Sequence, residues 1–111
     1  VSDSPLYFTG HTPDGVPLVG GVWTLWAQEG FPLEMSYLVS RGNGWAVDWL
    51  EAMADASRSD DLPALIGHIE PFLARDVVQR FKAALSAVLA SGKSFADILA
   101  EKRANAVPCR T

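Results

Sequence analysis

Two histidines, thirteen acidic residues and one cysteine are the side chains among these 111 residues best suited to move protons near neutral pH or to hold a metal. His11 stands close to Asp14 in a turn that also carries Thr9, Thr12 and Gly15, and a histidine beside a carboxylate can act as a general base. No nucleophile or second carboxylate accompanies the pair in the sequence. Asp14 within Thr12-Pro13-Asp14-Gly15 reads first as a turn former. His11 and Asp14 are therefore the alternative site, that of a small enzyme or ligand-binding domain. His68 and Glu70 are two apart and do not share a helix face. The positions that would share a face with His68 are Ala64, Leu65, Pro71 and Phe72, none of which binds metal, so no metal site is expected. Gly92-Lys93-Ser94 looks like the end of a phosphate-binding loop, but the upstream glycine is replaced by Ala87 and the preceding element reads as a helix. A helix stop followed by a helix cap accounts for these three residues. No catalytic residue and no cofactor are assigned.

Two clusters remain. Asp48, Glu51 and Asp55 recur at three- and four-residue spacing, which makes one acidic face of a helix. A solvated face is expected, and the alternative is a docking surface for a basic partner, including the chain's own C-terminal half. Trp23, Trp26, Trp45 and Trp49 lie within 27 residues. Tryptophan is seldom fully buried and is enriched at interface hot spots. These four are the candidate interface residues, set against the plainer reading in which they fill the core.

The formal charge of −4 argues against nucleic acid or an anionic membrane as partner. The charge is also split. Residues 1–61 carry nine acids and two bases, net −7, and residues 62–111 carry four acids and seven bases, net +3. Such halves can neutralise each other within the fold or steer self-association. The cations of the second half alternate with Asp76, Asp97 and Glu101, which dilutes any phosphate-binding patch. Cys109 alone cannot form an intramolecular disulfide, and its place near the end suggests a frayed, exposed thiol. No signal peptide or membrane span is read from the hydropathy pattern, so the cytoplasm is the expected compartment.

The elements that must position these residues divide the chain. Residues 1–30 hold Pro5, Pro13, Pro17 and five glycines, which disfavours helix. Leu6–Thr9 and Val16–Val19 are expected to flank the Thr12–Gly15 turn as strands, and Gly20-Gly21 to lead by a second tight turn into a strand over Val22–Ala27. On that strand Trp23 and Trp26 would point to opposite faces. Residues 31–106 read as helical. Pro32 opens a helix on which Met35, Leu38 and Val39 share a face, and Gly42-Asn43-Gly44 separates it from a helix running from Trp45 to about Ser57. Pro63 sits in the first turn of a helix capped by Asp60 or Asp61. The longest helix runs from Phe72 to about Ala90. Ser94 with Asp97 makes a capping box for the last helix, whose core residues are Phe95, Ile98 and Leu99. Residues 107–111 are a tail.

Leu25 to Glu34, centred on Gly30-Phe31-Pro32-Leu33-Glu34, resembles a short stretch in the catalytic half of alanyl-tRNA synthetases. The likeness covers about ten of the 111 residues, and Trp26-Ala27-Gln28 stands where that family has Tyr-Asp-Thr. The family's ATP-site motifs have no counterpart here, so no activity is carried across. The fold class expected is α+β or mostly α: a small N-terminal antiparallel hairpin or meander followed by about five short helices. The function expected is that of a non-catalytic interaction or assembly protein, whose partner is itself or another protein. Small acidic domains of this character also serve as phage or prophage accessory factors, an analogy that rests on no motif.

Overall fold

Turn chemistry sets the first element pair. In the computed structural model, which describes residues 6–104 and 107–108, Gly15 N–H donates to Thr12 O at 2.9 Å and Thr12 N–H to Val16 O at 2.8 Å. The Thr12 hydroxyl also accepts from Val16 N–H at 3.1 Å. This turn joins β1 (Tyr7–His11) to β2 (Pro17–Gly20) in an antiparallel pair. Two short strands complete the sheet. β3 (Ala46–Val47) runs parallel to β2, and β4 (Val107–Pro108) runs antiparallel to β1, giving the order β3-β2-β1-β4. Val107 and Pro108, expected in the tail, thus belong to the sheet. Cys109 and the rest of the tail lie outside the described residues.

The third strand expected over Val22–Ala27 is instead a helix, α1 (Val22–Glu29). Gly20 and Gly21 end a strand and begin a helix: Gly21 has φ 88°, and Gly30 closes α1 at φ 69° with its N–H on Trp26 O. Between them no glycine or proline interrupts the run, so the breakers that made the segment look non-helical bracket a helix. Trp23 and Trp26 consequently share a face, with rings stacked 4.9 Å apart.

α2 (Leu33–Gly42) follows Pro32, with Glu34 in its first turn and Arg41 in its last, the order the helix dipole favours. α3 (Trp49–Arg58) starts four residues later than expected, because Asp48 caps it by accepting from Glu51 N–H at 3.1 Å. Trp45 leads into β3 rather than sharing a helix face with Trp49. α4 (Leu62–Ile69) carries Pro63 in its first turn, as expected. α5 (Arg75–Ala90) begins after Ala74 rather than at Phe72. The capping box of α6 (Phe95–Ala104) forms as expected, with Ser94 N–H on Asp97 at 3.0 Å and Asp97 N–H on the Ser94 hydroxyl at 3.2 Å. The fold is α+β, with six helices among the described residues. No single one of them is long and apolar enough to cross a membrane.

α3 is the centre of the molecule. It touches α1, α4, α5, α6 and β2. Ala52, Met53, Ala54 and Ala56 are all buried, and the three alanines let neighbouring helices approach closely. Val19, Val22, Leu65, Ile69, Ile98 and Leu99 close the core around them.

Candidate interaction surface

Polar and apolar side chains exchange their ordinary places on two neighbouring helices. On α3 and its cap the acidic row expected to face solvent is buried: Asp48, Glu51 and Asp55 are exposed by only 3%, 0% and 4%. The reason is that each carboxylate has a protein partner. Glu51 accepts from the Tyr7 hydroxyl at 2.6 Å and from Gly21 N–H at 3.0 Å. Asp48 accepts from the Thr9 hydroxyl and from Lys102 Nζ, both at 2.7 Å. Asp55 accepts from the Thr24 hydroxyl at 2.7 Å and from Arg58 at 3.3 Å. The row ties β1, the start of α1 and α6 to the central helix. Lys102 is the basic C-terminal half meeting the acidic N-terminal half inside one chain.

Burial raises the Glu51 carboxyl above its ordinary value, reinforced by the charges of Asp55 and Asp48 and opposed by the bonds from Tyr7 and Gly21. Burial also raises the Tyr7 hydroxyl, as do its hydrogen bond to Glu51 and the charge of Glu51. Every carboxylate in the row is hydrogen-bonded within the fold, so the row is structural. Among the described residues no group of three or more His, Cys, Asp or Glu side chains is arranged to hold a metal ion.

On α2 the reverse holds. Its buried side consists of Leu33, Ser36 and Ser40, with half-buried Tyr37 packed on Phe72 and Trp49 at 5.2 and 6.4 Å. The two serines let the helix lie close to its neighbours, and Ser36 Oγ is buried without a hydrogen bond. Met35, Leu38 and Val39 do share a face, but it is the outer one, where they are 45%, 49% and 42% exposed. They are the large hydrophobic residues most open to water on the described surface. Beside this stripe lies a groove of about 360 Å³ walled by Tyr37, Trp45, Trp49, Val77 and Phe81. Arg41 stands at its edge, 5.6 Å from the Tyr37 ring centre and hydrogen-bonded to the Tyr37 hydroxyl at 3.3 Å.

Two of the four tryptophans are core residues and two are half-buried. Trp23 and Trp49 are buried, at 4% and 3% exposure. Half-buried Trp26 is covered by Trp23 on one side and by exposed His68, at 4.8 Å, on another. Half-buried Trp45 meets Phe8 edge-on at 5.1 Å and lines the groove. The indole area open to a partner therefore belongs to Trp26 and Trp45, and the strongest surface signal comes from α2, whose apolar triplet has the spacing of an ordinary core face. Only that spacing was visible beforehand; its outward direction depends on which side packs. His11 and Asp14 are both exposed at the hairpin end, with no hydrogen bond or ion pair between them, and neither lines the groove beside α2. Among the basic residues of the second half, Lys93 is held by Glu101 at 2.7 and 2.9 Å and Lys102 by Asp48.

Comparison with protein-family models, with curated proteins and with solved structures gave no match for this chain.

Proposed function

We propose that this chain is a non-catalytic assembly protein, acting in the cytoplasm, that associates with a second copy of itself through α2. The observation that supports the reading is the inverted helix: Ser36 and Ser40 are buried while Met35, Leu38 and Val39 face water. Fully burying a side chain of this size contributes about 1.5–3 kcal/mol, and the chain alone leaves much of that unrealised at three adjacent positions. Apolar patches rimmed by polar residues are a common feature of association surfaces, and here the stripe adjoins a groove lined by aromatic rings. The stripe is smaller than the ~800 Å² per partner of a standard interface, so the groove beside it must contribute and the affinity is modest.

Light scattering between ~1 and ~100 μM tests this, a span that brackets modest affinities. The mass should rise toward twice 12.0 kDa, and Leu38→Asp should hold it at the monomer value. A wild-type monomer across the whole range refutes self-association. A monomer that instead captures a different protein through Met35, Leu38 and Val39 would make this an adaptor.

A further inference from the structure

The outer face of α2 carries charge as well as apolar surface, and the two are arranged symmetrically. Glu34 and Arg41 are seven residues apart, which places them within about 20° of each other around the helix and about 10 Å apart along it. Both therefore border the apolar stripe on the same side, one near each end. Leu38, the most exposed of the three apolar residues, lies close to the midpoint between them. Met35 and Val39 lie on the other side of Leu38, again on either side of that midpoint. Among the described residues neither Glu34 nor Arg41 forms an ion pair.

We infer that α2 pairs antiparallel with α2 of a second copy about a two-fold axis at Leu38, each Glu34 facing Arg41 of the other copy. The inference rests on the self-association reading above and gives it a geometry. A two-fold perpendicular to both helices reverses position along the helix and keeps the side of the stripe. It therefore carries Glu34 of one copy opposite Arg41 of the other, twice over, and sets Met35 against Val39 in the same reciprocal way. Leu38 meets Leu38 at the centre. This is the self-complementary pattern that a closed dimer requires. A parallel pairing brings neither charge to an opposite one. The antiparallel arrangement also opposes the two helix dipoles.

Symmetry makes the test sharp. Glu34→Arg alone places arginine against arginine at both ends, and Arg41→Glu alone places glutamate against glutamate. Each variant by itself should dimerise at least ~10-fold more weakly than wild type, since like charges facing each other across an interface oppose association. Mixed in equal amounts, the two should form a heterodimer at least as tight as the wild-type dimer, because both facing pairs are then opposite in sign. Sedimentation of each variant and of the mixture reads this directly. As a second measurement, a short bismaleimide should link Leu38→Cys into dimers in a Cys109→Ser background, and should not link Ala83→Cys, an exposed position on α5. If wild type dimerises but the single variants are unaffected, or the mixture stays as weak as its components, or Leu38→Cys fails to link, the antiparallel geometry is wrong and self-association stands. If wild type is monomeric at ~100 μM, a concentration at which modest affinities show, both readings fall.

Discussion

α3 and its capping residue Asp48 hold three carboxylates inside the fold, and the neighbouring α2 holds three large apolar side chains outside it. The difference lies in what each side chain finds across from it. Asp48, Glu51 and Asp55 face hydroxyls from β1 and α1, the Gly21 N–H, Lys102 of α6 and Arg58 of α3 itself, so their desolvation is offset. Met35, Leu38 and Val39 stay largely open to water among the described residues, because α2 is anchored on its other side by Leu33, Ser36, Tyr37 and Ser40. A buried polar residue with complete partners reports on how the fold closes. An exposed apolar stripe reports on how its helix is turned, and on the proposal above it is the surface that a second copy covers.

The comparison breaks first at Glu51. Glu51→Ala removes a fully buried side chain, takes the acceptor from the Tyr7 hydroxyl and strands Gly21 N–H. It should cost about 3–5 kcal/mol in urea denaturation, and a loss below about 1 kcal/mol would show that the row is dispensable. Lys102→Met comes next. It leaves Asp48 buried without its counter-charge, yet still held by Thr9 and by Glu51 N–H. The expected loss is about 2–3 kcal/mol, less than for a pair with no other partners, and it should shrink sharply in a Lys102→Met/Asp48→Asn double variant.

Gly20→Ala probes the packing over the row. A Cβ there would stand 2.6 Å from the Thr9 methyl and 3.1 Å from Glu51 Cδ. Strand β1 must shift to admit it, at about 1–3 kcal/mol, and hydrogen exchange at Tyr7–Thr9 should report the change. The pH dependence is gentler. The folded Glu51 carboxyl titrates above its ordinary value of 4.5, so between the unfolded and folded values the folded state binds more protons. Stability contributed at this position is therefore highest below pH 4.5 and falls as pH rises through the window. Relative to Glu51→Gln, wild type should lose on the order of 1 kcal/mol per pH unit there, and parallel curves for the two proteins would contradict the assignment.

The smallest effect belongs to α2. Leu38→Ser, measured at protein concentrations low enough to keep the chain monomeric, should change stability by less than about 0.5 kcal/mol. A loss of 2 kcal/mol or more would mean that Leu38 packs within its own chain after all, and the contrast between the two helices would be lost.

Local chemistry alone determined much of this molecule. The Thr12–Gly15 turn, Pro63 in the first turn of α4 and the Ser94–Asp97 capping box were all legible, because each depends on residues within four positions of one another, and the strands beside the turn follow from it. The helix α1, read as a strand, and the start of α3 were not legible. Gly20-Gly21 is compatible with a hairpin or with a strand-to-helix junction, and Glu51, thirty residues away, is what holds Gly21 N–H at that junction. The spacing of Asp48, Glu51 and Asp55 was equally plain, as was that of Met35, Leu38 and Val39. Spacing defines a face and not its direction. Which face turns inward is decided by the partners that the tertiary structure brings to it: Tyr7, Thr9, Thr24 and Lys102 drew the acids in, and the packing of Tyr37 against Trp49 and Phe72 turned the apolar stripe out.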